Sequence, residues 1–167
     1  MRCSAVRRDP GGGGINVARV VRRLGSDVVA VYPTGGLIGA LLRKLTDEEG
    51  VQSRTVPIVQ ETRENFTVLD EGTGEQYRFV LPGPEVSEAE WRACLDSVRC
   101  YDGAAGYIVA SGSLPPGVPA EVFGELAEIA QECGAKLLVD TTKPGLQAAL
   151  KRGVHIIKPN LREMRDL

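Results

Sequence analysis

Apolar positions recur with two periods along the chain. Over 14–24, Ile15, Val17, Ala18, Val21 and Leu24 fall on a helical repeat that stops at Gly25, so the stretch reads as an amphipathic helix. Residues 27–32, DVVAVY, form a short β-branched run suited to a buried parallel strand. The helical period returns over 37–49 and closes at Gly50, and a second strand is expected over 54–59. Alternation then takes over. Segments 65–70 and 75–81, joined by EGTG, have the look of an antiparallel hairpin, and Pro82-Gly83-Pro84 breaks the run. A helix restarts at Ser87, where SEAE has the spacing of a capping box. Strand 106–111, helix 119–133, strand 136–140, helix 145–152 and strand 154–157 follow, and a capped helix start stands at 160–163.

This β–α alternation predicts an α/β fold with a parallel sheet and helices on both faces. The hairpin is an insertion into it, serving as a lid or as an oligomer-forming flap. No internal repeat is present, and the only low-complexity tract is Gly11–Gly14. Both ends read as those of an incomplete domain: the chain opens on a short polar–apolar stretch and stops at Leu167, within the first turns of a helix.

Composition narrows the partners. Hydrophobic content of 43% and charged content of 25% are ordinary for a soluble globular protein. A net charge of -2 argues against nucleic acid or an anionic membrane as partner. No apolar run approaches the roughly 18 residues of a membrane span, and no apolar signal core lies near Met1. The four cysteines form no CxxC pair and His155 is the only histidine, so a structural zinc site is not expected. The thiols read as free in a reducing cytoplasm. His155 falls inside an apolar strand and reads as structural; the cysteines and Trp91 read as packing residues.

Four stretches could carry chemistry. The glycine run before the first helix either is a flexible loop or presents bare backbone N–H groups and a helix N-terminus to a polar ligand. It is not a P-loop, since no Gly-Lys-Ser/Thr follows. Asn16 either faces solvent or bonds ligand hydroxyls. SGSLPPG, 111–117, follows an apolar strand at the sheet edge where ligands bind, and is a plain turn or a site with Ser111 and Ser113 as hydroxyls. Asp140 ends the next strand, as a helix cap or as a carboxylate for a metal or hydroxyl. Lys158 follows the last strand, and Asn160 with Glu163 makes a capping box or, more sharply, orders water around magnesium near phosphates. Arg2, Arg63 and Arg78 lie in or beside the flap, either solvated or gripping phosphate.

Taken in order, GGGGINVAR, YPTGG, TRENFTV, EQYRFVLPG, SGSLPPG, VDTT and KPNLRE resemble the ribokinase-like PfkB family of sugar kinases over nearly the whole chain, from Arg2 to Leu167. The resemblance implies a ribokinase-like three-layer α/β sandwich with a mostly parallel sheet and a small antiparallel β-lid. The implied layout is a lid strand segment at 1–8, α/β core at 9–60, hairpin lid at 61–84 and an incomplete core at 85–167. The implied reaction is transfer of the ATP γ-phosphate, with Mg²⁺, to a hydroxyl of a sugar phosphate, fructose 6-phosphate foremost. Gly12, Gly13 and Asn16 match positions that hold the sugar. Arg63 matches a lid arginine reaching the sugar's phosphate, Arg2 a second such contact, and Ser113 the sugar-side loop. Lys158, Asn160 and Glu163 match the nucleotide side, with Glu163 reaching magnesium through water, and Asp140 matches an acidic position near the phosphates. A homodimer through the β-lid is also implied.

Two departures matter. The glycine run is GGGG where relatives using 1-phosphofructose or tagatose 6-phosphate commonly read GGKG, which favours fructose 6-phosphate. The family's Gly-Ala-Gly-Asp motif, with its catalytic aspartate, does not occur in the 167 residues, and the resemblance puts it beyond Leu167. No catalytic base is therefore assigned, and the chain alone is expected to be inactive. The opening strand with its sugar-gripping aspartate is absent as well. Other acceptors (tagatose 6-phosphate, 1-phosphofructose, a nucleoside) and a noncatalytic binding or dimerisation module stand as alternatives.

Overall fold

The computed structural model describes residues 5–166. Leu167, beyond which the resemblance puts the catalytic aspartate, lies outside the described residues. Helix α1 (Gly13–Arg23) buries Ile15 and Ala18 and leads to strand β1 (Val29–Thr34). Helix α2 (Gly36–Glu48) connects it to β2 (Gln52–Pro57), which pairs with β1 in parallel from Val29↔Gln52 to Thr34↔Pro57. Ala30 and Tyr32, on one face of β1, pack with Ile15, Ala18, Val51 and Leu42. Strand β1 lies two residues later and β2 two residues earlier than the apolar runs predict, because both are bounded by the parallel ladder they share, from Val29↔Gln52 to Thr34↔Pro57.

Strands β3 (Phe66–Leu69) and β4 (Gln76–Phe79) form the expected antiparallel hairpin. Residues 5–8, the described part of the expected lid strand, form no strand; all four are exposed, and Arg8 meets Glu64 at 3.5 Å through its side chain instead. Helix α3 (Glu88–Arg99) begins at Ser87 with the anticipated capping box: the Ser87 N–H donates to Glu90 Oε2 at 2.7 Å. Glu90 also accepts from the Val59 N–H at 2.7 Å through its other oxygen, so the same carboxylate ties α3 to the end of β2.

The second half contains β5 (Tyr107–Ser111), α4 (Val122–Glu132), β6 (Lys136–Asp140), α5 (Lys143–Arg152), β7 (Ile156–Ile157) and α6 (Leu161–Asp166). The three strands are parallel and hydrogen-bonded in the order β5–β6–β7. Helix α5 starts two residues earlier than expected, because Lys143-Pro144 supplies a proline in the first turn, where its missing N–H costs nothing. Phe123, Ala127, Ala130, Leu137, Val139, Leu146 and Ala149 make the core here, and Trp91, Leu95, Val122 and Ile129 join α3 to α4. Helix α1 touches both β1 and β5, which links the two parallel units.

Two packing expectations are corrected. His155 is exposed and precedes the two-residue β7, with only its backbone N–H engaged, on Leu137 O. Cys100 and Cys133 are exposed at the carboxyl ends of α3 and α4, since both helices stop there and turn their last residue outward. Cys94 does pack, and burial, with Glu90 nearby, pushes its thiol up to about 11. Cys3 lies outside the described residues. Among the described residues, no helix is long and apolar enough to cross a membrane.

Leu146 is fully buried. Replacing it with alanine is expected to cost about 2–5 kcal/mol, measured by chemical denaturation. Two carboxylates also predict a pH dependence. Hydrogen bonds from Arg19 hold Glu49, and those from Ser87 and Val59 hold Glu90, below the usual glutamate range. A carboxylate with a lowered folded pKa contributes stability at neutral pH that disappears as pH falls from about 4.3 through the lower folded value. The melting temperature is therefore expected to drop below about pH 4.5, and Glu90→Gln to lower it at pH 7 and flatten that drop.

Candidate functional site

Glycines bring the first helix onto the end of β5. A methyl group on Gly13 would lie 2.5 Å from Ser111 Oγ and 2.6 Å from its carbonyl oxygen, distances no real Cβ contact reaches. Gly12 precedes it with φ +117°, a conformation open to glycine and strained for other residues. Helix α1 starts here without a side-chain cap and without an acidic residue in its first turn. Its leading N–H groups are thus left for solvent or a ligand.

Around Ser111 the carboxyl ends of the three parallel strands converge. Ser111 Oγ donates to Asp140 Oδ2 at 3.4 Å, and Lys158 Nζ reaches the same oxygen at 3.1 Å. Buried Thr141 donates to the Gly112 carbonyl at 2.7 Å, and the Gly112 N–H to the Asp140 carbonyl at 2.8 Å. Asp140 is half-buried and Lys158 is largely exposed, so the amine can turn from the carboxylate toward an incoming anion. The strand ends therefore place one hydroxyl, one carboxylate and one ammonium beside an uncapped helix start. Such an arrangement suits a ligand that carries both hydroxyls and negative charge.

Arg63 and the loop after β5 meet at the foot of the hairpin. A methyl group on Gly83 would sit 3.6 Å from Pro116, 3.7 Å from Pro115 and 3.9 Å from Arg63 Nη1. Arg63 Nη1 donates to the Leu81 carbonyl at 3.5 Å, and Asn65 accepts from the Leu81 N–H at 3.1 Å. Ser113 is exposed on the loop, whose Pro116 carbonyl accepts from the Val86 N–H at 2.9 Å. Arg78 stands opposite Thr67 in the ribbon. Arg2 lies outside the described residues.

Asn160 and Glu163 are brought together as a capping box. Asn160 Oδ1 accepts from the Arg162 and Glu163 N–H groups at 2.9 Å, and Glu163 Oε2 accepts from the Asn160 N–H at 2.8 Å. The structure joins them to Lys158 by chain continuity and not by side-chain contact. Among the described residues no cluster of three or more His, Cys, Asp or Glu side chains could hold a metal.

Sequence reasoning missed two residues that shape this end of the molecule. Glu61 Oε1 accepts from the Ile38 N–H at 2.6 Å, capping α2 from the segment that follows β2. Thr62 Oγ1 accepts from the Gly35 N–H at 2.9 Å, holding the β1–α2 turn against the segment that enters the hairpin. Both partners are more than twenty residues away in sequence, so no local pattern marks them. A shallow depression lined by Ala130, Leu137 and His155 lies at the amino ends of β6 and β7, away from this site.

All 167 residues match the family described as pfkB family carbohydrate kinase. The ATP-dependent 6-phosphofructokinase isozyme 2 of Mycobacterium tuberculosis (strain ATCC 25618 / H37Rv) is 48% identical over 166 residues, 99% of this chain and 49% of that protein. The protein of the same description from Escherichia coli (strain K12) is 42% identical over 168 residues, 100% of this chain and 54% of that one. The crystal structure of phosphofructokinase-2 from Escherichia coli in complex with fructose-6-phosphate superposes with a TM-score of 0.90 at 42% identity, covering 99% of this chain and 55% of that chain. The chain spans about half the length of the curated relatives it matches. With this match over its full length and this scaffold, the chain belongs to the pfkB family of carbohydrate kinases, with their ribokinase-like α/β fold.

Proposed function

We propose that the chain forms the sugar-phosphate half of a kinase that phosphorylates fructose 6-phosphate to fructose 1,6-bisphosphate. The observation that carries this reading is the uncapped start of α1, pressed by Gly13 against Ser111 at the strand ends that hold Asp140 and Lys158. Gly12 and Gly13 let a hexose lie against bare backbone, and Asn16 and Ser113 bond its hydroxyls. Arg63, at the foot of the hairpin, holds the phosphate the sugar already carries, with Arg2 as a second contact. The absence of lysine from the glycine run favours fructose 6-phosphate over 1-phosphofructose or tagatose 6-phosphate.

Lys158, Asn160, Glu163 and Asp140 form the nucleotide side. ATP with Mg²⁺ would supply the phosphoryl group and much of the charge neutralisation that such transfers need. Lys158 would offset phosphate charge there, and the Glu163 oxygen not used by Asn160 would reach the ion through water. No residue up to Leu167 is assigned as base, so the chain by itself binds without turnover. The free thiols Cys94, Cys100 and Cys133 support a cytoplasmic location.

The hairpin favours assembly as well. Register pairs Phe66 with Phe79 and Val68 with Tyr77, which puts all four on one face of the ribbon, while Thr67, Leu69, Gln76 and Arg78 share the other. The first face is aromatic and exposed. A two-stranded ribbon of this kind is not stable alone in water, and a second copy of the same face would cover it.

Calorimetry with fructose 6-phosphate tests the site. Arg63→Ala is expected to weaken binding about tenfold or more, and Gly13→Ala to abolish it by pushing α1 away from Ser111. Unchanged affinity in both variants would remove the assignment. A coupled assay on the 167-residue chain is expected to show no fructose 6-phosphate turnover, and robust turnover would demand a base among Asp140 and Glu163. In sedimentation, the doubly substituted Val68→Asp/Phe79→Asp chain is expected to be monomeric where the parent dimerises; an unchanged dimer would move the interface elsewhere.

A further inference from the structure

Beside the glycine run stands an arginine that the functional reading leaves unused. Every nitrogen of the Arg19 guanidinium has an oxygen partner. Nε donates to Glu49 Oε2 at 2.8 Å and Nη2 lies 2.5 Å from Glu49 Oε1, a two-pronged pair. Nη1 donates to the Pro10 carbonyl at 2.8 Å and to Asn16 Oδ1 at 3.3 Å. The side chain is only 17% exposed, unlike most charged residues of this protein.

Each partner has a consequence. Pro10 is buried and is the last residue with a side chain before Gly11–Gly14. A run of four glycines has no side chains to hold it, so it must be fixed from outside. Its far end is held by the Asn16 N–H on the Gly12 carbonyl at 2.9 Å and by Gly13 against Ser111. Its near end is held by Arg19. Asn16 is exposed in the first turn of α1. A guanidinium has donors only, so the amide oxygen of Asn16 must face Arg19, which turns the NH₂ group away as a pair of donors.

Glu49 occupies an unfavourable place for its charge. It caps the carboxyl end of α2, where the helix dipole repels a carboxylate, and α2 has no basic residue in its last turn. Arg19, with Arg23 at 3.0 Å, supplies the compensation from α1. The pair thereby connects the end of α2 to the entrance of the glycine run.

We infer that Arg19, anchored by Glu49, is a positioning residue: it fixes the Pro10 end of the glycine loop and sets Asn16 to present NH₂ donors to ligand oxygens. This deepens the sugar-phosphate reading and rests on it for the identity of the ligand. The side chain of Arg19 itself is not placed on the ligand. Asn16 then selects for a hydroxyl or phosphate oxygen that accepts, and a ligand lacking that oxygen gains nothing from it.

The test compares Arg19→Ala, Arg19→Lys and Glu49→Gln with the parent chain, and with Arg43→Ala, whose arginine pairs with Asp47 on the surface of α2. Exchange of the loop is read at Asn16, whose N–H bonds the Gly12 carbonyl, and is expected to rise about tenfold or more in Arg19→Ala, with β5 and β6 amides unchanged. Arg19→Lys, which restores charge but not the fork, is expected to leave the loop nearly as fast. Glu49→Gln should shift it in the same direction by less, and Arg43→Ala not at all. Fructose 6-phosphate affinity should fall about tenfold in Arg19→Lys. If Arg19→Ala does not fold, Arg19→Lys and Glu49→Gln decide the matter by the same exchange measurement. Unchanged loop exchange in the folded Arg19 variants would overturn the inference. A parent chain that fails to bind fructose 6-phosphate would sink the functional reading alone, because loop exchange judges the brace without a ligand.

Discussion

Where Gly13 meets Ser111 there is no room for a methyl group, and much of the molecule is arranged around that contact. It seats the start of α1 on the end of β5, while the body of the same helix packs Ile15 and Ala18 against β1. One helix therefore joins a parallel pair and a parallel triple that, among the described residues, share no hydrogen-bonded strand edge. The contact also fixes what the helix start can do. With a glycine on each side of the approach and no side chain capping it, the helix starts with free first-turn N–H groups beside Ser111, whose hydroxyl donates to Asp140.

Electrostatics follow the same geometry. Charge at the strand ends is sparse and shared: Asp140 serves both Ser111 and Lys158, and Glu90 serves both Ser87 and Val59. Among the described residues the least exposed ion pair, Arg19 with Glu49, lies behind the glycine run and not in the open site. Most of the other ion pairs are exposed pairs of the kind worth little to stability, such as Arg43 with Asp47 and Lys44 with Glu48. Burial at Ile129, Leu146, Val86 and Val139 carries the fold, and the paired charges set orientation.

Local chemistry is legible in the sequence. Ser87 with Glu90 and Asn160 with Glu163 are capping boxes in sequence and in structure alike, because every atom involved lies within four residues. The alternation over Phe66–Leu69 and Gln76–Phe79 marks the hairpin for the same reason. Long-range partners leave no such trace. Glu61 on Ile38, Thr62 on Gly35 and Arg19 on Glu49 join residues 23 to 30 positions apart. His155 misleads because VHII looks apolar, yet only two of those residues enter the ladder. Among the site residues, Asp140 and Lys158 are legible as strand-end groups, whereas their sharing of one oxygen with Ser111 needs the register of β5, β6 and β7.

The two faces of the hairpin constrain how this lineage can vary in length. Phe66, Val68, Tyr77 and Phe79 share one face only because side chains alternate strictly along each strand. Losing or gaining a single residue within either strand would exchange the aromatic face for the one bearing Arg78 along everything beyond it. A change of length that keeps both faces therefore comes in steps of two, falls in the turn at Glu71–Gly74, or needs a bulge to absorb the odd residue.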